Sequence, residues 1–206
     1  MATIKQSPKL SAEKRHEQLL SSAQKLFLKK GYRRTTVDEI AKKVGLTKGA
    51  FYFHFDNKEH IFFELVKLVL GNYIAKTKEI SAQNPSPADF LRVLYEGKGK
   101  CCNDEFRYNI DFWVQAMSIP KIKRYMNNSF KKVVDNFING VGVEYKNSKI
   151  NLKELAVFTF SLFDGLWIRQ VVQPSIIDMS AQIDLFDKLL RNNYLFYKNK
   201  RGKSEK

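Results

Sequence analysis

Apolar side chains recur three and four residues apart along nearly the whole of this chain. In the first segment Leu19, Leu20, Ala23, Leu26 and Phe27 fall on one stripe, the period at which one face of an α-helix meets a core. Ser11 stands where it can cap that helix and Gly31 where it can end it. No period-2 strand and no internal repeat breaks the pattern. The 206 residues include only 10 Gly and 5 Pro, too few for a many-turned β-sandwich or barrel. The expected fold class is therefore all-α. After the first helix, the pattern predicts helices starting at Thr36, Thr47 and Asp56, the last of these running to about Ser81. Pro85 and Pro87 then form the clearest break. Further helices are expected near 88–102, 104–118, 121–140, 152–173 and 180–198, with Gly140-Val141-Gly142 and Lys146–Lys149 as a longer loop.

Charge narrows the choice of partners. Lys and Arg total 36 and Asp and Glu 21, a formal net charge of +15. Residues 1–60 hold 13 basic and 6 acidic side chains, nearly half the excess in under a third of the chain. Such asymmetry points to a polyanion, either nucleic acid or an anionic membrane surface. At 44% hydrophobic residues the chain has more apolar groups than a disordered one. Its two cysteines, Cys101 and Cys102, are adjacent and cannot build a disulfide framework. Met1–Leu10 has no apolar leader run, and the longest apolar stretch, Val157–Phe163, is short of a membrane span. A cytoplasmic protein with no membrane partner is expected.

Residues 36–54 carry the motif that organises the rest. Thr36 and Glu39 have the capping-box spacing, in which each side chain satisfies the other residue's backbone N–H. Val37, Ile40, Ala41 and Val44 are apolar where this helix would pack, and Ala41 is small where two helices would cross. Gly45 can take the left-handed backbone of a tight turn. A second, short helix follows, capped by Thr47. The pattern is that of a helix-turn-helix, in which the second helix lies in the major groove with its first residues at the base edges. Thr47, Lys48, Gly49 and Ala50 would be those residues. Small side chains there let backbone approach, and Lys48 can meet a phosphate or a guanine edge.

The runs Thr35-Thr36-Val37-Asp38-Glu39-Ile40-Ala41, Gly45-Leu46-Thr47-Lys48-Gly49-Ala50-Phe51-Tyr52-Phe53-His54-Phe55 and Asn57-Lys58-Glu59 resemble the N-terminal domain of TetR-type transcriptional regulators. The likeness is dense over residues 11–70 and sharpest over Phe51–Lys58, against a family pattern of Leu-Tyr-Tyr-His-Phe with a Lys three residues on. It implies a three-helix DNA-binding domain over 11–70, with the helix-turn-helix at about 36–54. A larger helical ligand-binding and dimerisation domain would follow over 71–200, then a basic tail over 201–206. Thr36 and Val37, opening their helix, would meet phosphate. Thr47, Lys48, Gly49, Ala50 and Tyr52 would form the recognition helix, and His54 and Lys58 would reach the DNA backbone. Phe53, counted with them among the DNA-binding residues, departs from the family's Tyr, which removes a hydroxyl contact. Read from the residues alone, Phe53 is a core aromatic. Asp164-Gly165-Leu166 is similar to a stretch in some C-terminal domains of the family.

The C-terminal segment carries no motif of comparable strength. Phe106, Phe112, Trp113, Phe130 and Trp167 are candidates to line a pocket for an apolar or aromatic effector, although such aromatics equally fill an ordinary helical core. Residues 152–173 are apolar nearly all round, which predicts burial on two sides. One side would face the chain's own domain and the other a second subunit. Leu155, Leu162 and Leu166, with Phe186 and Leu189 of the last helix, are the expected homodimer interface.

Other chemistries find no support in the residues. Gly97-Lys98-Gly99-Lys100 lacks phosphate-loop spacing, and His16, His54 and His60 make no metal set. There is no cofactor fingerprint and no nucleophile motif, so no enzyme activity and no cofactor are expected. The competing classes are a basic all-α enzyme and an RNA- or membrane-surface module. The favoured expectation is a homodimeric repressor of operator DNA. An effector would release it by tilting the long helix from Asn57 to Ser81.

Overall fold

A computed structural model describes residues 11–96, 110, 113–145 and 150–201. Every described element is helical, and no strand occurs among the described residues. The chain divides into two compact units. Of the described residues, 11–69, 110 and 113–122 fall in the first, and 70–96, 123–145 and 150–201 in the second.

The first unit opens with helix α1, Ala12–Lys30. The Ser11 hydroxyl accepts the Lys14 N–H at 3.3 Å, and Gly31 ends the helix at φ +82° with its N–H donating to the Phe27 carbonyl. Glu13 in the first turn and Lys29 and Lys30 in the last oppose the helix dipole. Helix α2, Val37–Lys42, carries the full capping box, and α3 is Lys48–Tyr52. Between them Gly45 sits at φ +70°, the left-handed backbone the turn needs. Helix α4, Lys58–Ser81, starts where the Asn57 side chain accepts the His60 N–H at 2.8 Å.

The core of this unit is Leu19, Ala23, Phe27, Ile40, Ala41, Phe51, Phe55, Ile61, Phe62 and Leu65, each at most 1% exposed. Burying a large apolar side chain contributes roughly 1.5–3 kcal/mol, so these residues decide how α1 to α4 pack. Ser22, buried among them, donates its hydroxyl to the Ile40 carbonyl at 2.8 Å and pins α2 to α1. Val37 and Val44, expected in this core, are only half-buried. Helix α2 stops at Lys42, which leaves Val44 in the turn.

In the second unit Ser86 caps helix α5, Pro87–Glu96, with Pro87 at its first position. Residues 113–118, which belong to the first unit, are helical. Helices α6 (Pro120–Tyr145), α7 (Leu152–Val172) and α8 (Met179–Arg201) follow. Phe90, Phe137 and Phe160 stack edge to face or tilted, 5.2–6.0 Å apart, at the centre of the unit. Arg92 of α5 bridges Asp89 and Asp184, tying α5 to α8.

Three expectations need correcting. The loop expected at Gly140-Val141-Gly142 lies inside α6. Gly140 is there because α6 crosses the end of α4 closely, where a β-carbon would fall 2.8 Å from Ser81 Cα. Second, α7 has 21 residues and is long and apolar enough to cross a membrane by length and composition. The length of its most apolar stretch was the wrong measure, because scattered polar residues do not make this helix polar. One side of α7 (Leu155, Ala156, Thr159, Phe160, Phe163 and Trp167) is buried in the unit's core. Third, Arg201, expected in the tail, is the last residue of α8. Residues 97–109 and 146–149, and with them the two cysteines, lie outside the described residues.

Candidate nucleic-acid interface

Helix α3 has two sides. Phe51 and Phe55 point inward, fully buried, with ring centroids 5.5 Å apart. That anchors the five-residue helix, too short to be stable alone. Lys48, Gly49, Tyr52 and Phe53 face out. Tyr52 is 48% exposed, its ring edge-on to Phe51 at 5.6 Å, and Phe53 is 81% exposed. Phe53 is thus the reverse of the core aromatic its composition suggested. The inward positions are already filled by Phe51 and Phe55, so the residue between them must point out.

The outward groups are chemically available. The Thr47 hydroxyl accepts the Ala50 N–H at 3.1 Å, which leaves its proton for an outside acceptor. Among the described residues Lys48 has no carboxylate partner. A β-carbon on Gly49 would meet only Thr47 Oγ1, at 3.8 Å, so the fold itself does not require glycine there. Ala50 is half-buried beneath this face.

Other expected contacts are placed differently. Thr36 uses both its donors on one carboxylate: its N–H reaches Glu39 Oε2 at 2.9 Å and its hydroxyl at 2.8 Å. Lys30 also pairs with Glu39. Those hydrogen bonds, chiefly from Lys30, hold the Glu39 carboxyl down to about 2. A charged carboxylate therefore stands where Thr36 was expected to meet phosphate. Val37, next in the helix, is half-buried. Lys42, on the other flank of α2, is paired with Asp38 at 2.8 Å.

His54 sits half-buried between Phe53, at 5.2 Å, and His16 of α1, at 6.1 Å. His16 itself stacks on Phe55 at 4.5 Å. Burial, and then the neighbouring His16, push His54 below the ordinary imidazole value. At neutral pH it presents a neutral N–H rather than a cation. Composition gave no hint that His16 belongs beside the motif.

Lys58, expected to reach the DNA backbone, is held by acceptors of the chain itself. Its ammonium donates to the carbonyls of Tyr32 at 3.0 Å, Arg33 at 3.3 Å and Thr35 at 2.9 Å. It also stands 4.5 Å from the centre of the Tyr32 ring. Those three carbonyls match the three N–H donors of a lysine ammonium.

The residues expected to form a pocket and an interface separate as well. Phe106 and Phe112 lie outside the described residues. Trp113 is exposed and belongs to the first unit. In the second unit Phe130 is exposed, edge-on to Phe160 at 5.9 Å, and Trp167 is buried against Phe163. Of the expected dimer residues, Leu155 and Phe186 are 7% and 4% exposed, sealed in the chain's own core. Leu162 and Leu166 pack against its edge, and Leu189 is 54% exposed. The stripe that does face outward on α7 is Phe158, Ser161, Gly165, Ile168 and Val172, alternately three and four residues apart. That spacing was visible in the sequence. Which side of an all-apolar helix would be covered was not.

Comparison with known proteins agrees with this geometry. Residues 19–65, which run from within α1 through α2 and α3 to the start of α4, match the family model of bacterial regulatory proteins, tetR family. The HTH-type transcriptional regulator TtgR of Pseudomonas putida is 24% identical over 192 residues, covering 85% of this chain and 89% of TtgR. A putative transcriptional regulator from Saccharomonospora viridis, solved in complex with choline, superposes with a TM-score of 0.74 at 18% identity, over 88% of this chain and 97% of that one. SmeT, the repressor of the Stenotrophomonas maltophilia multidrug efflux pump SmeDEF, superposes with a TM-score of 0.63 at 22% identity, over 81% and 83%. The two structural likenesses establish the fold.

Proposed function

We propose that this chain, a TetR-type transcriptional regulator, is a cytoplasmic repressor that binds operator DNA as a homodimer and leaves it when a small apolar or aromatic effector binds. The observation that carries the reading is the outward face of α3. Lys48, Gly49, Tyr52 and Phe53 stand exposed on a helix whose other side is locked by Phe51 and Phe55. A short helix with small and basic residues at its start suits the floor of a major groove. In that groove Lys48 reads a guanine edge or meets a phosphate, and the Thr47 proton goes to a phosphate oxygen. Phe53, with no hydroxyl, is suited to apolar contact with a thymine methyl. His54 donates as a neutral N–H. Regulation by occupancy requires no turnover, and the chain acts without enzyme activity or cofactor.

A two-fold dimer places two copies of α3 in successive major grooves, about 34–36 Å apart. Its interface is the outward stripe of α7, joined by Leu185 and Leu189 of α8, all of which are apolar or small. The effector enters the second unit, where Phe130 and Trp167 are the aromatic candidates. TtgR and SmeT, by their names a regulator and a repressor, support this reading, as does the choline held by the S. viridis neighbour. Helix α4 contributes residues to both units, so its displacement is the proposed route of release. The test is selection of bound duplexes from a random pool, followed by a screen for compounds that release the selected duplex. Retention of RNA or anionic vesicles in preference to every duplex would sink the reading.

A further inference from the structure

We infer that Lys58 serves DNA binding without touching DNA, as a positioning residue that fastens the start of α4 to the turn between α1 and α2. The inference rests on the reading that α3 binds duplex DNA.

The turn at residues 31–35 gathers carbonyl oxygens that the helices do not use. Three have a local donor: Lys30 the Arg34 side chain at 2.9 Å, Gly31 the Thr35 hydroxyl at 2.9 Å and Tyr32 the Thr35 N–H at 3.3 Å. The carbonyls of Tyr32, Arg33 and Thr35 converge on the Lys58 ammonium, 23 to 26 residues away in sequence. Charge-assisted hydrogen bonds are stronger than neutral ones, and the negative end of the α1 dipole faces the same way. The Tyr32 ring beneath the ammonium is itself packed on Phe27 at 5.5 Å and Phe62 at 4.5 Å, so the clamp is anchored in the core of the unit. The turn leads straight into Thr36, the cap of α2, and α2 carries α3. A phosphate drawing Lys58 outward would take the ammonium from the Arg33 and Thr35 carbonyls, for which it is the donor, and from that of Tyr32. The same contacts let a movement at the start of α4 pull on the turn and hence on the recognition helix.

The test compares wild type, Lys58→Met and Tyr32→Leu on two duplexes: the tightest recovered by selection from a random pool, and a random-sequence duplex of equal length. Affinity is measured across a salt series at a temperature where melting curves show each protein folded. Wild-type retention of the selected duplex tests the proposed function separately. For Lys58→Met we expect about a tenfold loss on the selected duplex, a smaller loss on the random one, and a salt slope equal to that of wild type. A slope shallower by about one unit would mean a direct phosphate contact and would overturn the inference. An unchanged affinity with a lowered melting temperature would mean a merely structural role and would overturn it too. Tyr32→Leu removes no group proposed to touch DNA and should repeat the pattern of Lys58→Met. If Lys58→Met does not fold, Tyr32→Leu decides alone, and full affinity in that variant would overturn the inference.

Discussion

Gly140 and Ser81 meet backbone to backbone. A β-carbon built on Gly140 would lie 2.8 Å from Ser81 Cα and 3.0 Å from its carbonyl oxygen. Beside this crossing, Asn136 of α6 donates its amide to the Ile74 carbonyl at 3.1 Å and to the Thr77 hydroxyl at 2.9 Å, fixing the register of α6 on α4. Backbone cannot retreat as a side-chain tip can, so Gly140→Ala forces the two helices apart. We expect a loss of roughly 1–3 kcal/mol, the usual cost of overpacking a closed site, read by denaturant unfolding. Gly71→Ala is the control, since a β-carbon there meets nothing within 4 Å. It should leave the fold of the single chain unchanged.

Gly49 gives the opposite expectation for glycine. Nothing in the free protein opposes a β-carbon at this position, and alanine favours helix over glycine by about 1 kcal/mol. Gly49→Ala should melt at or above the wild-type temperature. If α3 lies against the groove floor at this point, the same variant should bind the selected duplex at least tenfold more weakly. Wild-type affinity for DNA in a stable Gly49→Ala protein would show that the helix keeps its distance here.

Stability of the first unit should fall on mild acidification. Burial, then His16, hold His54 below its ordinary value of 6.5, so the folded state favours the neutral ring. That contribution is complete above about pH 6.5 and is lost as pH falls through the lower, folded-state value. Glu39, held down to about 2 from 4.5 by Lys30 and Thr36, acts in a separate window. Its contribution is present above about 4.5 and is lost only as pH falls toward 2. Thermal melting between pH 7 and 5 should therefore drop less in His54→Gln than in wild type. Equal drops would remove His54 as the cause.

Assembly separates two kinds of leucine-rich position. Leu189→Glu puts a charge on a side chain that is more than half exposed in the single chain. It should leave each subunit folded while dispersing the dimer, because an unpaired charge in an apolar interface costs several kcal/mol. Leu155→Glu puts the charge in the subunit's own core and should unfold the second unit instead. Sedimentation with circular dichroism distinguishes the two outcomes. A monomeric wild type at micromolar concentration would remove the proposed interface altogether.

What the sequence determined by itself was local. The caps at Ser11, Thr36 and Thr47 bond to amides three residues ahead, and the apolar period repeats within four. The left-handed turn at Gly45 needs only one residue of the right kind. Those features are satisfied by neighbours in the chain, so their spacing can be read directly, and with them the helical class and the helix-turn-helix. The tertiary structure decided what depends on distant partners. It turned Phe53 outward because Phe51 and Phe55 had filled the core. It gave Lys58 to carbonyls more than 20 residues away, took Gly140 out of a loop and into a helix crossing, and placed residues 113–122 in the first unit. A lysine near a DNA-binding motif reads as a phosphate contact from the sequence; which acceptors within the chain reach it is set by the fold. Periodicity gives which residues share a helix face, but the surface that covers the face is chosen only when the helices pack.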